Sequence, residues 1–203
     1  MMKKLVVLLH GVGSSGADLE GLGHYFQPSF PDVIFSSPNG TEKFDGGGAG
    51  YQWFSVTGVT EASRPGRIVN ARAAFDAAIQ QIFAKHAIDP EQDQVIFLGF
   101  SQGSIMALDA LVSARLPLAG VVAFSGRLSS PQPYATASNT PVLLVHGQAD
   151  PVIPWQESES AAAKLSEVGI PVTTFFETAL PHTISMDGIN KATAFISQCF
   201  SKA

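Results

Sequence analysis

"QVIFLGFSQGSIMALDAL", residues 94–111, divides into two halves of different kind. Residues 94–100 form a continuous β-branched and apolar run, the pattern of a parallel strand covered on both faces. Residues 102–111 carry Ile105, Leu108 and Leu111 at helical spacing. Ser101 stands at the junction, with Gly99 and Gly103 two residues to either side, in the pattern G-x-S-x-G. A serine turned sharply from strand into helix leaves no room for bulky neighbours at those two positions. The helix that follows brings its free N–H groups and its dipole near the hydroxyl. A serine that merely caps a helix gives the same bare pattern. The strand before it and the helix after it favour a nucleophile.

The same alternation extends in both directions. Apolar runs at 5–9, 33–35, 120–124, 141–145 and 172–176 join 94–100 as expected strands. Between them, Ile68, Ala71, Phe75, Ala78, Ile79 and Ile82 mark one helix, and residues 155–168 a second, ended by Gly169. Ile189, Ala192, Ile196, Cys199 and Phe200 mark the last. Strands alternating with helices predict an α/β fold: a mostly parallel central sheet with helices on both faces. One domain over residues 1–203 is expected at this length. The segment 38–66 is too long for an ordinary connection. Gly46, Gly47 and Gly48 give it freedom, and Tyr51, Trp53 and Phe54 give it something to bury.

Composition removes several function classes. Of 203 residues, 45% are hydrophobic and 14% charged, and the net charge is −5, so no basic surface for nucleic acid is implied. The single cysteine, Cys199, excludes an internal disulfide and a multi-cysteine metal site, and fits a cytoplasmic protein. The run at 5–9, behind Lys3 and Lys4, resembles the start of an export signal. It is shorter than the roughly 7–15 apolar residues of such a signal and lacks a small-residue cleavage site. Nor does any stretch approach the roughly 18 apolar residues of a membrane span, so no stable membrane insertion is expected.

In an open α/β sheet the ligand sits at the carboxyl ends of the strands. Those ends carry "HGVG" (10–13), Ser101, "HGQADPVIP" (146–154) and "ALPHTIS" (179–185). A serine nucleophile needs a base, and the base needs an orienting acid. Hydrolases of this architecture run in the order serine, acid, histidine. Of the five histidines, only His182 follows both Ser101 and Asp150. His24 and His86 read as surface residues, and His10 and His146, each before a glycine, as structural hydrogen-bonding groups. Asp150 before Pro151 also reads as a plain turn former. Asp187 follows the histidine and suits the first turn of the last helix. Acyl transfer also needs N–H donors at the developing oxyanion. The amide after the nucleophile, Gln102, is one; the other comes from the loop after the first strand, around Val12, where Gly11 and Gly13 let the backbone bend.

Taken together, "LLHGVGSSGADL", "SPNG", "QWFSVTG", "GFSQGSIMAL", "VHGQADPVIP" and "PHTIS" resemble, in order and over nearly the whole chain, the phospholipase/carboxylesterase group of α/β-hydrolases, which includes the acyl-protein thioesterases. The pairing of "HGVG" with "QWFSV-G" is similar to a small bacterial carboxylesterase branch. The sequence departs from the group's pattern at Ser14, often Asp, at Val145 of "VHG", often Ser or Cys, and at Pro181, often Gly. The resemblance implies an α/β-hydrolase fold without a large cap domain and a triad of Ser101, Asp150 and His182. It also implies oxyanion amides at Val12 and Gln102, and no metal or organic cofactor.

The expected activity is hydrolysis of short- to medium-chain carboxylic esters through an acyl-enzyme. Trp53 and Phe54 are expected to wall the substrate pocket; fastening the loop to the body is the other reading of both. The expected partners are a small-molecule ester and, on exposed apolar surface, a second copy of the chain in a homodimer. Two other activities share these residues: long-chain acyl-protein or lysophospholipid hydrolysis, and a silent binding protein on a hydrolase scaffold. A dienelactone-type hydrolase would carry cysteine where residue 101 is serine.

Overall fold

The computed structural model describes residues 2–135 and 139–201. Six strands, β1 (Lys4–Leu9), β2 (Val33–Ser36), β5 (Gln94–Phe100), β6 (Gly120–Phe124), β7 (Val142–Gly147) and β8 (Val172–Glu177), form one sheet in the order β2-β1-β5-β6-β7-β8. Every pairing in it is parallel. A separate hairpin, β3 (Glu42–Lys43) with β4 (Tyr51–Gln52), lies in the long insertion. The helices are α1 (Gly16–Phe26), α2 (Arg64–His86), α3 (Gln102–Val112), α4 (Gln156–Glu167) and α5 (Met186–Ser201).

The apolar runs are continuous because both faces of each central strand are covered. Leu5, Val7, Leu9, Val95, Phe97, Val121, Ala123, Val142 and Leu144 pack with Ile68, Phe75 and Ile79 of α2, Ile105 and Leu108 of α3, and Ala161 and Leu165 of α4. The alternate residues Val6, Leu8, Ile96, Leu98, Val122, Phe124, Leu143 and Val145 pack with Phe26 of α1 and with Ala192, Ile196, Cys199 and Phe200 of α5. Three helices thus cover one face and two the other. Among the described residues no large cap stands over the sheet. The run at 5–9 is a strand at the centre of this core, each residue 0% exposed.

Strand positions follow the sequence closely, and Gly169, at φ +81°, ends α4 as expected. Two elements depart from it. The insertion is shorter than expected, because residues 64–66 already belong to α2. Its middle is the β3–β4 hairpin, tied to the loop after β1 by Gly13 N–H to Tyr51 O at 2.8 Å and Tyr51 N–H to Ser14 O at 2.7 Å. Helix α1, absent from the expected helices, docks through Phe26, Leu19 and Leu22 and through two close glycine contacts. A methyl at Gly16 would come 2.0 Å from Ser37 O, and one at Gly23 3.3 Å from Phe35 Cβ.

A buried charge network fastens α3 to α2. Asp109 is 0% exposed and takes Arg72 at 2.8 Å and Arg115 at 2.7 Å, and Arg115 also holds Asp76 at 2.9 Å. Removing one partner of a buried pair strands the others. The arginine side chains are 24% and 17% exposed, so the loss falls at the low end for such groups. Asp109→Ala is expected to cost roughly 3 kcal/mol in urea unfolding. A loss below about 0.5 kcal/mol would show the network to be incidental.

Candidate active site

Ser101 sits between β5 and α3 with φ 54° and ψ −117°, a backbone conformation that a non-glycine residue adopts only under constraint. The constraint is visible on both sides. A methyl at Gly99 would lie 2.4 Å from Ser104 N, and one at Gly103 2.0 Å from Leu9 O. The Ser101 amide donates to Phe124 O at 2.9 Å, and the Ser104 hydroxyl donates to the same oxygen at 2.8 Å, pinning the turn to β6.

His182 and Asp150 arrive on the loops after β8 and β7, which are neighbours in the sheet. Gly147 lets those loops meet, since a methyl there would come 2.1 Å from Leu180 O. Gln148 N–H to Glu177 O at 2.8 Å and Ala149 N–H to Leu180 O at 3.1 Å hold them together. His182 Nε2 is 3.0 Å from Ser101 Oγ, and His182 Nδ1 is 2.6 Å from Asp150 Oδ2. Asp150 Oδ1 accepts the amides of Val152 at 2.8 Å and Ile153 at 2.9 Å. Burial alone would raise the Asp150 carboxyl. The His182 hydrogen bond and the two amides outweigh it and hold the group below the ordinary aspartate value. Asp150 is therefore an anion at neutral pH, and its acceptor oxygen fixes the proton on Nδ1 of His182. Nε2 is then free to accept from the Ser101 hydroxyl. The Phe100 ring packs on the imidazole at 4.9 Å between centroids.

The loop after β1 is held from beneath by His10. Gly40 N–H donates to His10 Nε2 at 2.7 Å, so the ring proton is on Nδ1, which donates to Gly11 O at 2.6 Å. Burial keeps this imidazole's pKa low. Because the peptide is planar and trans, fixing Gly11 O also fixes the direction of the Val12 N–H. Gly11 lies against the serine, a methyl there being 3.2 Å from Ser101 Cβ. The Val12 and Gln102 amides meet no protein acceptor among the described residues.

The expectation for Trp53 and Phe54 is corrected. Trp53 is 0% exposed, donates Nε1–H to His10 O at 2.9 Å and meets Phe75 edge-on at 5.3 Å. Phe54 is 4% exposed in the same core. Trp53 fastens the insertion rather than lining a wall, and Phe54 fastens it too while bordering a hollow with Ser55, Arg67 and Asn70, because burying two large rings is what holds a loop with so little regular structure. A second fastening went unread in the sequence. The Gln102 side chain accepts Trp53 N–H at 2.8 Å and donates to Phe54 O at 2.7 Å. The residue whose amide was singled out also clamps the insertion. Asp187 lies in the first turn of α5, as expected.

The model of the phospholipase/carboxylesterase family matches residues 1–200. The chain belongs to this family. It is 34% identical over 182 residues to esterase YpfH of Escherichia coli (strain K12), covering 90% of this chain and 77% of that one. A crystal structure of esterase PE8 superimposes with a TM-score of 0.86 at 37% identity, covering 98% of this chain and 93% of that one. Acyl-protein thioesterase 1 of Saccharomyces cerevisiae is 30% identical over 168 residues, covering 75% of this chain and 72% of that one. Membership carries the α/β-hydrolase fold and ester hydrolysis with it. Among the described residues no helix is long and apolar enough to cross a membrane, and no group of three or more His, Cys, Asp or Glu side chains is placed to hold a metal.

Proposed function

We propose that this carboxylesterase uses Ser101 as nucleophile, His182 as general base and acid, and Asp150 as the orienting carboxylate, on short- to medium-chain esters. The observation that carries the reading is the unbroken line of contacts from Ser101 Oγ through His182 to Asp150, at 3.0 and 2.6 Å. His182 takes the hydroxyl proton as Ser101 Oγ attacks the carbonyl carbon. Asp150 stabilises the imidazolium and keeps its tautomer. The carbonyl oxygen becomes an oxyanion held by the Val12 and Gln102 amides, donors that are worth several kcal/mol when aimed in advance. The alcohol departs with the proton from His182. Water, deprotonated by the same imidazole, attacks the acyl-enzyme and frees Ser101.

The chain-length preference rests on what surrounds the site. No large cap encloses a long acyl chain, and Trp53 and Phe54 are spent on the core. Val152, 60% exposed, and Met186, 53% exposed, follow Asp150 and His182 closely in the chain and are the exposed apolar side chains this reading assigns to a short rim. The chain acts as one domain over residues 1–203, in the cytoplasm. Its partners are a small-molecule ester and a second copy of itself, the latter decided by sedimentation.

Steady-state kinetics on p-nitrophenyl and thioester substrates of graded length test the specificity. The expected kcat/KM is highest from acetate to octanoate and falls by about tenfold or more at palmitate, as methylenes leave the rim for water. A preference for palmitoyl thioesters would instead assign the long-chain activity suggested by the yeast relative. A folded protein that resists a fluorophosphonate probe at neutral pH would be a binder on a hydrolase scaffold.

A further inference from the structure

One buried polar side chain beside Asp150 has no part in the mechanism above. His146, in β7, is 0% exposed. Its Nε2 lies 2.9 Å from Ile153 O and 3.2 Å from Asp150 Oδ2, the same oxygen that receives His182. Both neighbours are acceptors only, a carbonyl and an ionised carboxylate, so Nε2 carries the hydrogen. On the other side of the ring, Nδ1 lies 2.6 Å from the Ser158 hydroxyl of α4, itself 2% exposed. Burial is the largest influence on this imidazole and pushes its pKa down, outweighing the nearby Asp150 carboxylate, while His182 adds to the lowering. The ring is neutral, and the Ser158 O–H donates to the bare Nδ1. Ser158 thus selects the tautomer that turns an N–H toward Ile153 O, in the turn that carries Asp150.

We infer that His146 is a positioning residue for the proposed triad: its Nε2–H, donated to Ile153 O with Asp150 Oδ2 3.2 Å away, anchors the turn whose Val152 and Ile153 amides grip Asp150 Oδ1, and so sets the carboxylate and through it the His182 ring at Ser101. The inference rests on the triad reading and deepens it. Two amides hold Oδ1 and the His182 ring holds Oδ2, so the plane of the carboxylate is set from both ends, and His146 secures the Ile153 end of the turn that supplies the amides. Without His146 the carboxylate keeps its charge but can swing about its Cβ–Cγ bond, and the imidazole follows it. A misplacement of about 1 Å at reacting atoms costs on the order of a hundredfold in rate. Groups that orient a catalytic or metal-bound histidine through hydrogen bonds act in this indirect way.

Three variants test it. His146→Phe keeps the bulk and removes both ring nitrogens. His146→Gln can return an N–H near the position of Nε2. Ser158→Ala removes only the tautomer-selecting hydroxyl. On a short p-nitrophenyl ester, His146→Phe is expected to lower kcat by about 30-fold with KM changed less than about twofold, and the rate of fluorophosphonate labelling falls in parallel. His146→Gln is expected to recover most of that loss, and Ser158→Ala to lie between wild type and His146→Phe. Wild-type kcat in His146→Phe would overturn the inference. So would equal impairment of the Phe and Gln variants in proportion to their lost thermal stability, the signature of a packing role alone. Should His146→Phe fail to fold, Ser158→Ala decides: a severalfold lower kcat at unchanged Tm supports the inference, and an unchanged kcat ends it. The triad reading fails separately, through an active Ser101→Ala. A dead Ser101→Ala beside a fully active His146→Phe would sink only the role of His146.

Discussion

Ser101→Ala is expected to lower kcat by roughly 10⁴- to 10⁶-fold while the protein stays folded. On the proposed mechanism the Ser101 hydroxyl attacks the ester, so its loss removes the covalent route and leaves whatever the proposed oxyanion amides and substrate binding supply. Stability is expected to stay within about 0.5 kcal/mol, because alanine keeps the Cβ and therefore the constrained backbone at φ 54°. Ser101→Gly separates the two effects. It is equally inactive but removes the Cβ that this conformation disfavours, and is expected to gain about 1 kcal/mol in urea unfolding. Active-site titration with a fluorophosphonate and denaturation of the three proteins side by side provide the measurement. Ester hydrolysis retained in Ser101→Ala at more than about one-hundredth of the wild-type rate would remove the serine from the mechanism.

Gly103→Ala is expected to have the largest effect on stability. Its methyl would lie 2.0 Å from Leu9 O, 2.5 Å from Leu9 C and 2.8 Å from His10 O, all main-chain atoms where β1 ends. No side chain can rotate out of the way. Either α3 lifts off the sheet or the end of β1 bends, and both movements part the Gln102 amide from the Val12 loop. Overpacking in a close-packed interior costs about 1–3 kcal/mol and more when backbone must shift. A loss of about 3 kcal/mol or more is expected, with activity reduced at least a hundredfold. Gly21→Ala is the control: it lies in α1 with nothing within 4 Å of the added methyl, and is expected to be neutral or up to about 1 kcal/mol stabilising. Equal melting temperatures for the Gly103 and Gly21 variants would mean that the elbow accommodates a side chain after all.

The strands and most helices were legible because both faces of the sheet are covered. Burial on two sides writes an unbroken apolar run, as at 5–9 and 94–100, and burial on one side writes a helical period, as at Ile68, Phe75 and Ile79. The order of Ser101, Asp150 and His182 along the chain was legible too, since chemistry restricts which residue types can serve at strand ends. Helix α1 and the β3–β4 hairpin were not. The first docks through only a few apolar side chains, Leu19, Leu22 and Phe26, beside two glycines, and the second is held by main-chain bonds from Gly13, Ser14 and Tyr51, which any sequence supplies. Trp53 misled for a related reason: an aromatic in a long loop reads the same whether it faces a substrate or a core.

The sequence by itself therefore determined the layer order, the elbow and the identities of the groups that meet at the strand ends, because each depends on side-chain chemistry and local period. Chain order singled out His182, but only the tertiary structure decided what each histidine touches. Three of the five imidazoles stand at strand ends, and nothing in their neighbouring letters separates them fully. His182 reaches Ser101 and Asp150, His10 turns the Val12 peptide, and His146 anchors Ile153 O in the turn that carries Asp150. Those roles follow from which acceptor lies within about 3 Å of each ring nitrogen, and that distance is set by the packing of loops far apart in the chain.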